Sequence, residues 1–209
     1  MTESLLREQM VAIARSFFQR GYATGSAGNL SLLMDDGTIL ATPTGSCLGE
    51  LSPETLSHVD RDGVLLSGDK PSKEVSFHLA LYRNNPQCRA VVHLHCHYLT
   101  AISCLQSIDP TNTLPACTPY VVMRVGDVPL VPYFRPGDPD IGHWLAQRAT
   151  KYKAFLLANH GPVVMGSSLR DAADNLEEME ASARLFFTLK NDAVNYLNHE
   201  QVSVLRGMS

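Results

Sequence analysis

Apolar residues recur at helical spacing through the first twenty positions. Leu6, Met10, Ile13 and Phe17 form a stripe that Leu5, Ala14 and Phe18 widen, which predicts an amphipathic first helix stopped by Gly21. The small residues Gly25-Ser26-Ala27-Gly28-Asn29 predict a loop. Short apolar runs at 29–33 and 38–42, separated by Asp35-Asp36-Gly37, predict two strands joined by a tight turn. Thr42-Pro43-Thr44-Gly45 is a second turn, and 63–66 a further short strand. After the loop Ser67-Gly68-Asp69-Lys70-Pro71, Val75, Leu79 and Tyr82 mark one helix face, which Asn84-Asn85-Pro86 ends.

The second half continues the alternation. Residues 89–95 predict a buried strand and 98–105 a helix; 114–132 predict strands interrupted by Gly126-Asp127. Asp138-Pro139 is an N-cap followed by proline at the first helical position, opening a helix through Trp144 and Leu145. Strands at 154–158 and 163–165 flank Asn159-His160-Gly161-Pro162. Ser168 and Asp171 resemble a capping box for a long helix carrying Leu169, Ala173, Leu176, Ala183 and Phe187. The tail from Asn195 is weakly patterned. One sheet with helices on its faces follows, partly antiparallel because of the hairpin.

Composition narrows the class. A chain of 209 residues suits one domain spanning 1–209, and 44% hydrophobic residues suffice for a core. Only 18% are charged, against a typical value of about 25%, as a large covered surface or a deep core would require. A net charge of −4, without a basic block, argues against nucleic acid as a partner. No apolar stretch reaches the ~20 residues of a membrane span, and no signal peptide opens the chain. Five scattered cysteines without a CxxC predict packing roles rather than a disulfide framework, and a reducing, cytoplasmic location.

The sharpest chemistry is His93-Leu94-His95. Residues two apart on a strand share a face, so the two imidazoles converge while Leu94 packs the other way. Neutral imidazole is the commonest ligand for zinc-like ions, although two histidines on a strand can equally be plain core or surface residues. His160, on a glycine-bearing turn after a strand, could complete a three-histidine catalytic metal site or simply cap a carbonyl. Glu74, in the first turn of a predicted helix, could enter the fourth position or act as a base. It could also be a dipole-favoured first-turn acid or pair with His78 one turn on. The turns Gly28-Asn29, Thr44-Gly45-Ser46 and Ser72-Lys73 offer backbone N–H groups, hydroxyls and one ammonium for phosphate, or plain turn chemistry. His97 lies past the expected strand end.

Together and in this order, Gly28-Asn29-Leu30-Ser31, Thr42-Pro43-Thr44-Gly45, Pro71-Ser72-Lys73-Glu74, His93-Leu94-His95 and Asn159-His160-Gly161 resemble the class II aldolase/adducin family. The resemblance runs from the first helix to the long helix after Ser168. It implies a three-layer αβα sandwich around a central, largely antiparallel sheet, and a homotetramer with active sites at subunit interfaces. It also implies a divalent metal, usually Zn2+, on His93, His95, His160 and, at rest, Glu74. Glu74 would be the acid/base carboxylate, and Tyr120 matches a tyrosine that donates a proton in the aldolases. Gly28, Asn29, Thr44, Gly45, Ser72 and Lys73 match the phosphate site, with lysine at 73 where the aldolases carry a second serine. The runs 67–74 and 44–49 look most like the branch that decarboxylates 3-oxo-tetronate 4-phosphate, a phosphorylated sugar acid. That implies dihydroxyacetone phosphate and CO2 as products, formed through a metal-bound enediolate. A ketose-phosphate aldolase and a non-catalytic adducin-like module are the alternatives.

Overall fold

The computed structural model describes residues 2–207. In chain order the elements are α1 (Glu3–Gln19), β1 (Asn29–Leu33), β2 (Ile39–Ala41), β3 (Ser57–Val59), β4 (Leu65–Ser67), α2 (Val75–Asn84), β5 (Ala90–His93) and α3 (His97–Ser103). Then come α4 (Pro119–Arg124), β6 (Leu130–Val131), α5 (Pro139–Ala146), β7 (Ala154–Leu157), β8 (Gly161–Gly166), α6 (Leu169–Thr188) and α7 (His199–Arg206). The strands form one sheet in the order β4-β3-β2-β1-β5-β8-β7-β6. Every pairing is antiparallel except β6 with β7.

Strand alternation divides two cores between the faces of this sheet. Leu30, Leu32, Leu40, Ala90, Val92, Ala154, Leu156 and Val164 face one way and pack with Met10, Phe17, Leu99, Leu176 and Met179. Ile39, Val91, Phe155, Leu157, Val163 and Met165 face the other and pack with Val75, Phe77, Leu81, Ile141 and Leu145. So α1, α3, α4 and α6 cover one face, and α2 and α5 the other. This is the expected three-layer sandwich with a largely antiparallel sheet. Both faces are buried, which is why the central strands read as near-continuous apolar runs.

The local signals mostly work as read. The α1 stripe buries Met10, Ile13, Ala14 and Phe17. Asp138 caps α5 by accepting from the Asp140 N–H at 3.1 Å. Ser168 Oγ accepts from the Asp171 N–H at 3.1 Å, but the Asp171 carboxylate closes back on the Ser167 N–H (2.8 Å) rather than on Ser168.

Three expectations need correction. Residues 114–132 are not a run of strands. Pro119 presets a helical start for α4, which buries Val121 and Val122, and only Leu130–Val131 pairs in the sheet. The segment is tied instead by side chains, with the Val128 carbonyl accepting from both the Thr113 N–H (2.8 Å) and hydroxyl (3.0 Å). The weakly patterned tail contains α7, started by an Asn198–Gln201 capping box. Cysteines are not uniformly packing residues: Cys88 and Cys96 are buried, Cys47 and Cys117 half-buried, and Cys104 exposed at the end of α3. All five are free. No helix among the described residues is long and apolar enough to cross a membrane.

Candidate metal and active site

The central strands deliver the histidines. His93 is the last residue of β5, cross-strand from Asn29 on β1 and Val163 on β8. The ladder stops there, so His95 lies just beyond it, yet its ring still turns to the same spot: His95 Nε2 is 3.2 Å from His93 Nε2. His160 arrives from the β7–β8 turn. Asn159 makes that turn in the left-handed region (φ 55°), which asparagine tolerates better than most residues. Two glycines let backbone close around the β5 exit. A Cβ at Gly161 would sit 2.4 Å from the Leu94 carbonyl oxygen, and one at Gly28 would sit 2.9 Å from that of His93. The candidate ligand nitrogens of the three histidines lie within 4.8 Å of one another.

Glu74 completes the group from the N-cap position of α2. Its carboxylate oxygens lie 3.4 Å from His93 Nε2 and 3.4 Å from His160 Nε2. Asn29 Nδ2 donates to Glu74 Oε2 at 2.7 Å, and the Glu74 N–H donates to Ser72 Oγ at 3.3 Å. The i,i+4 pairing of Glu74 with His78 does not form, because each residue bonds a β1 side chain instead.

The donor set fits a divalent cation. His93 Nδ1 meets the Pro162 carbonyl at 2.8 Å, which places the ring proton there and turns the Nε2 lone pair toward the cluster. Burial lowers His93 to about 4, against the opposing pull of Glu74, and burial also lowers His95 and His160. The three rings are thus neutral at pH 7, the form that ligates metal. Burial pushes the Glu74 carboxyl up, but the neighbouring His93 and His160 rings and the Asn29 amide bring it below its usual value, so it is ionised. A divalent cation among these atoms would accept the ring lone pairs and a carboxylate oxygen together.

A cavity of about 390 Å3 opens beside this cluster, lined by Glu74, His95, His160 and by Thr100, Tyr133, Phe134, Pro136 and Asn159. Among the described residues that line it there is no lysine or arginine. A second cavity of about 540 Å3 is lined by Thr44, Gly45, Ser46 and Lys70, among others. There the turn after β2 is zipped to the segment before α2 by the Pro43–Pro71 bridge and by the Thr44 N–H donating to the Lys70 carbonyl (2.9 Å). The Thr44-Gly45 and Ser72-Lys73 turns therefore lie on connected backbone beside Glu74. Gly28 backs against Leu94 and the Asn29 amide is engaged with Glu74. Tyr120, on α4 and 63% exposed, is not among the residues lining the cavity beside the histidines. His97 is exposed at the start of α3.

Sequence reasoning passed over several residues. Tyr133, Phe134 and Pro136 come from the loop before α5, where no periodicity marks them. Glu180 was legible in principle, as an acid on the buried stripe of α6 between Leu176 and Ala183. It is 8% exposed and its two oxygens accept from the Tyr98 and Leu99 N–H groups at 2.8 and 2.9 Å. It therefore caps α3, whose own N-cap, Cys96, makes no side-chain capping bond. That cap anchors the backbone immediately after His95.

Comparison with known proteins agrees with this geometry. Residues 8–187 match the family described as class II aldolase and adducin N-terminal domain. A Pectobacterium atrosepticum protein named 3-oxo-tetronate 4-phosphate decarboxylase is 62% identical, over 98% of this chain and 94% of its own length. The crystal structure of Klebsiella pneumoniae YgbL, described as an aldolase, epimerase or decarboxylase, superposes with a TM-score of 0.96 at 64% identity. It covers 99% of this chain and 100% of that one. More distantly, an L-fuculose phosphate aldolase of Methanococcus maripaludis is 33% identical over 88% of this chain and 97% of its own.

Proposed function

Because the chain belongs to the class II aldolase and adducin family, we propose that it is a carboxy-lyase converting 3-oxo-tetronate 4-phosphate to dihydroxyacetone phosphate and CO2. The carrying observation is near-full-length identity of 62% to a decarboxylase of that name, in a chain that keeps three imidazoles and a carboxylate together.

The reaction breaks the C1–C2 bond of a 3-oxo acid. Its electron pair moves toward the C3 oxygen as CO2 leaves, and C2 then takes up one proton. A divalent ion on His93, His95 and His160 supplies the Lewis acid that makes the C3 oxygen a better electron sink. Zinc is the ion proposed, since three nitrogen donors and an exchangeable carboxylate or water suit its four-coordinate preference. Glu74 relays the proton from solvent to C2, held in place by the Asn29 amide. Gly28, Asn29, Thr44, Gly45, Ser72 and Lys73 make up the proposed phosphate site, with the Lys73 ammonium adding attraction for the dianion. The carboxylate that is lost would face the cavity wall of Tyr133, Phe134 and Pro136, where no lysine or arginine among the described lining residues holds it back. Tyr120, which matches a proton-donating tyrosine of the aldolases, is proposed in that role for the aldolase reading, since the single proton of the decarboxylation comes through Glu74.

We further propose a cytoplasmic homotetramer acting in sugar-acid breakdown, with 1–209 as one domain and active sites completed across subunit interfaces. Supporting the assembly, the edge strand β4 and the turn before it expose Val64, Leu65 and Leu66, an apolar rim that another subunit would cover.

The deciding experiment supplies zinc-loaded protein with both C2 epimers of the 3-oxo acid phosphate and, separately, with ketose 1-phosphates. Dihydroxyacetone phosphate and equimolar CO2 from the acid are expected. Dihydroxyacetone phosphate from a ketose phosphate alone would favour the aldolase reading, which the 33% identity to an L-fuculose phosphate aldolase supports. No product from either substrate and no bound metal would leave the adducin-like reading.

A further inference from the structure

Behind Glu74 a file of polar side chains runs into the core, and the reaction as described does not use it. Glu74, His78 and Tyr82 are spaced by four residues, so they project from one face of α2 and its N-cap. Asn29 and Ser31 share the β1 face opposite. The two rows meet as rungs: Asn29 Nδ2 to Glu74 Oε2 at 2.7 Å, Ser31 Oγ to His78 Nδ1 at 2.7 Å, and Ser31 Oγ to the Tyr82 hydroxyl at 2.6 Å. His78 and Ser31 have no exposed surface, and Asn29 is 3% exposed.

Among the described residues, four buried side-chain atoms lack a protein partner, and two of them belong to adjacent rungs: Asn29 Oδ1 and His78 Nε2. Their polarity can be worked out. A carboxylate only accepts, so Asn29 must present its NH2 to Glu74 and leave its carbonyl oxygen as an unmatched acceptor. A phenol delocalises its oxygen lone pair into the ring and so donates better than it accepts. Tyr82 therefore donates to Ser31, and Ser31 donates onward to His78 Nδ1. A neutral imidazole carries one proton, which then sits on Nε2. Burial holds His78 down to about 3, so the ring is neutral.

We propose that His78 is a positioning residue for Glu74: its Nε2–H, through one internal water, holds the Asn29 carbonyl oxygen and so keeps the Asn29 NH2 on the carboxylate. Without that donor the Asn29 amide can flip, presenting an oxygen to Glu74 and pushing the carboxylate off line. Tyr82 and Ser31 select the ring tautomer at the inner end of the file, and Glu74 reads the result at the outer end. The kinetic part of this proposal rests on Glu74 acting as the proton relay; the tautomer does not.

Two measurements test it. Nitrogen-15 NMR of the histidine rings in the zinc-loaded full chain should show His78 protonated on Nε2 with Nδ1 as acceptor; the opposite tautomer overturns the proposal. His78→Leu should lower kcat about 10- to 100-fold with KM little changed and one metal still bound per chain. His78→Gln, whose amide N–H reaches the Nε2 position, should restore most of the loss. An unchanged kcat in His78→Leu, or equal loss in both variants, overturns it. If His78→Leu does not fold, Ser31→Ala opens the same file from the strand side and should lower kcat several-fold with metal retained; no change there counts equally against the proposal. Absence of turnover in the unsubstituted protein would refute the decarboxylase reading and leave the NMR result standing.

Discussion

Replacing His93 or His95 with alanine removes a proposed ligand from the three-histidine cluster, so metal content and turnover should fall together. Metal analysis beside the kinetic assay checks this; a variant that keeps full metal would remove that ring from the ligand set. Glu74→Gln is expected to separate the two properties: metal largely retained, kcat lowered about 100- to 10,000-fold, as for loss of a general acid–base group. Lys73→Ser takes away one ammonium from the proposed phosphate site and should appear mainly as a higher KM. At this scale the convergence of the three rings was readable because spacing carries it: alternation brings His93 and His95 to one side, and a glycine turn presents His160. The ladder ends at His93, two residues earlier than read, yet the rings still converge. Tyr133 and Phe134 were not readable, since only the path of an irregular loop brings them to the cavity. His78 looked like a partner for Glu74, and only the tertiary approach of β1 to α2 turns it to Ser31.

Among the elements, α3 depends on another helix for its start. Glu180→Ala leaves the Tyr98 and Leu99 N–H groups without their acceptor, and should lower unfolding free energy by about 2 kcal/mol. Because that start directly follows His95, metal affinity should weaken in the same variant; chemical denaturation and a metal titration read the two effects. Gly161→Ala should be more damaging, since its Cβ would meet the Leu94 carbonyl oxygen with no flexible side chain to yield. Elements with a strong period or a cap, such as α1, α5 and α6, were legible in the sequence. Those made by long-range contacts were not: β3 is three residues long, and α4 starts within a run of β-branched residues that reads as strand. The cap that opens α7 was visible at Asn198 and Gln201, but only Val202 and Leu205 make an apolar face there, and none of its residues is fully buried.

Across the whole molecule, stability and protonation are linked. Burial lowers His78 to about 3 and His93 to about 4, and lowers His95 and His160 as well, whereas an unfolded chain has histidines near 6.5. Below that value the unfolded chain binds more protons than the native one. Metal-free protein should therefore hold full stability above about pH 6.5 and lose it progressively as pH falls toward 4 and then 3. A plot of Tm against pH checks this, and a flat line between pH 6.5 and 5 would contradict it. The proposed zinc ion would bind only the folded arrangement, so adding it should raise Tm, and chelation should reverse the gain. The sandwich itself was legible because both sheet faces demand apolar cover. The exact strand order was not, since β8 reaches its place beside β5 only after 67 residues of intervening chain.

That late arrival shapes how the protein is made. A nascent chain emerging from the ribosome has β5 and two of its imidazoles long before the final hairpin, and until β8 arrives one edge of β5 is open. Closing that edge and bringing in His160 are one event. Loading of the proposed metal would thus be timed by sheet completion, since a half-synthesised chain can offer only part of the candidate site.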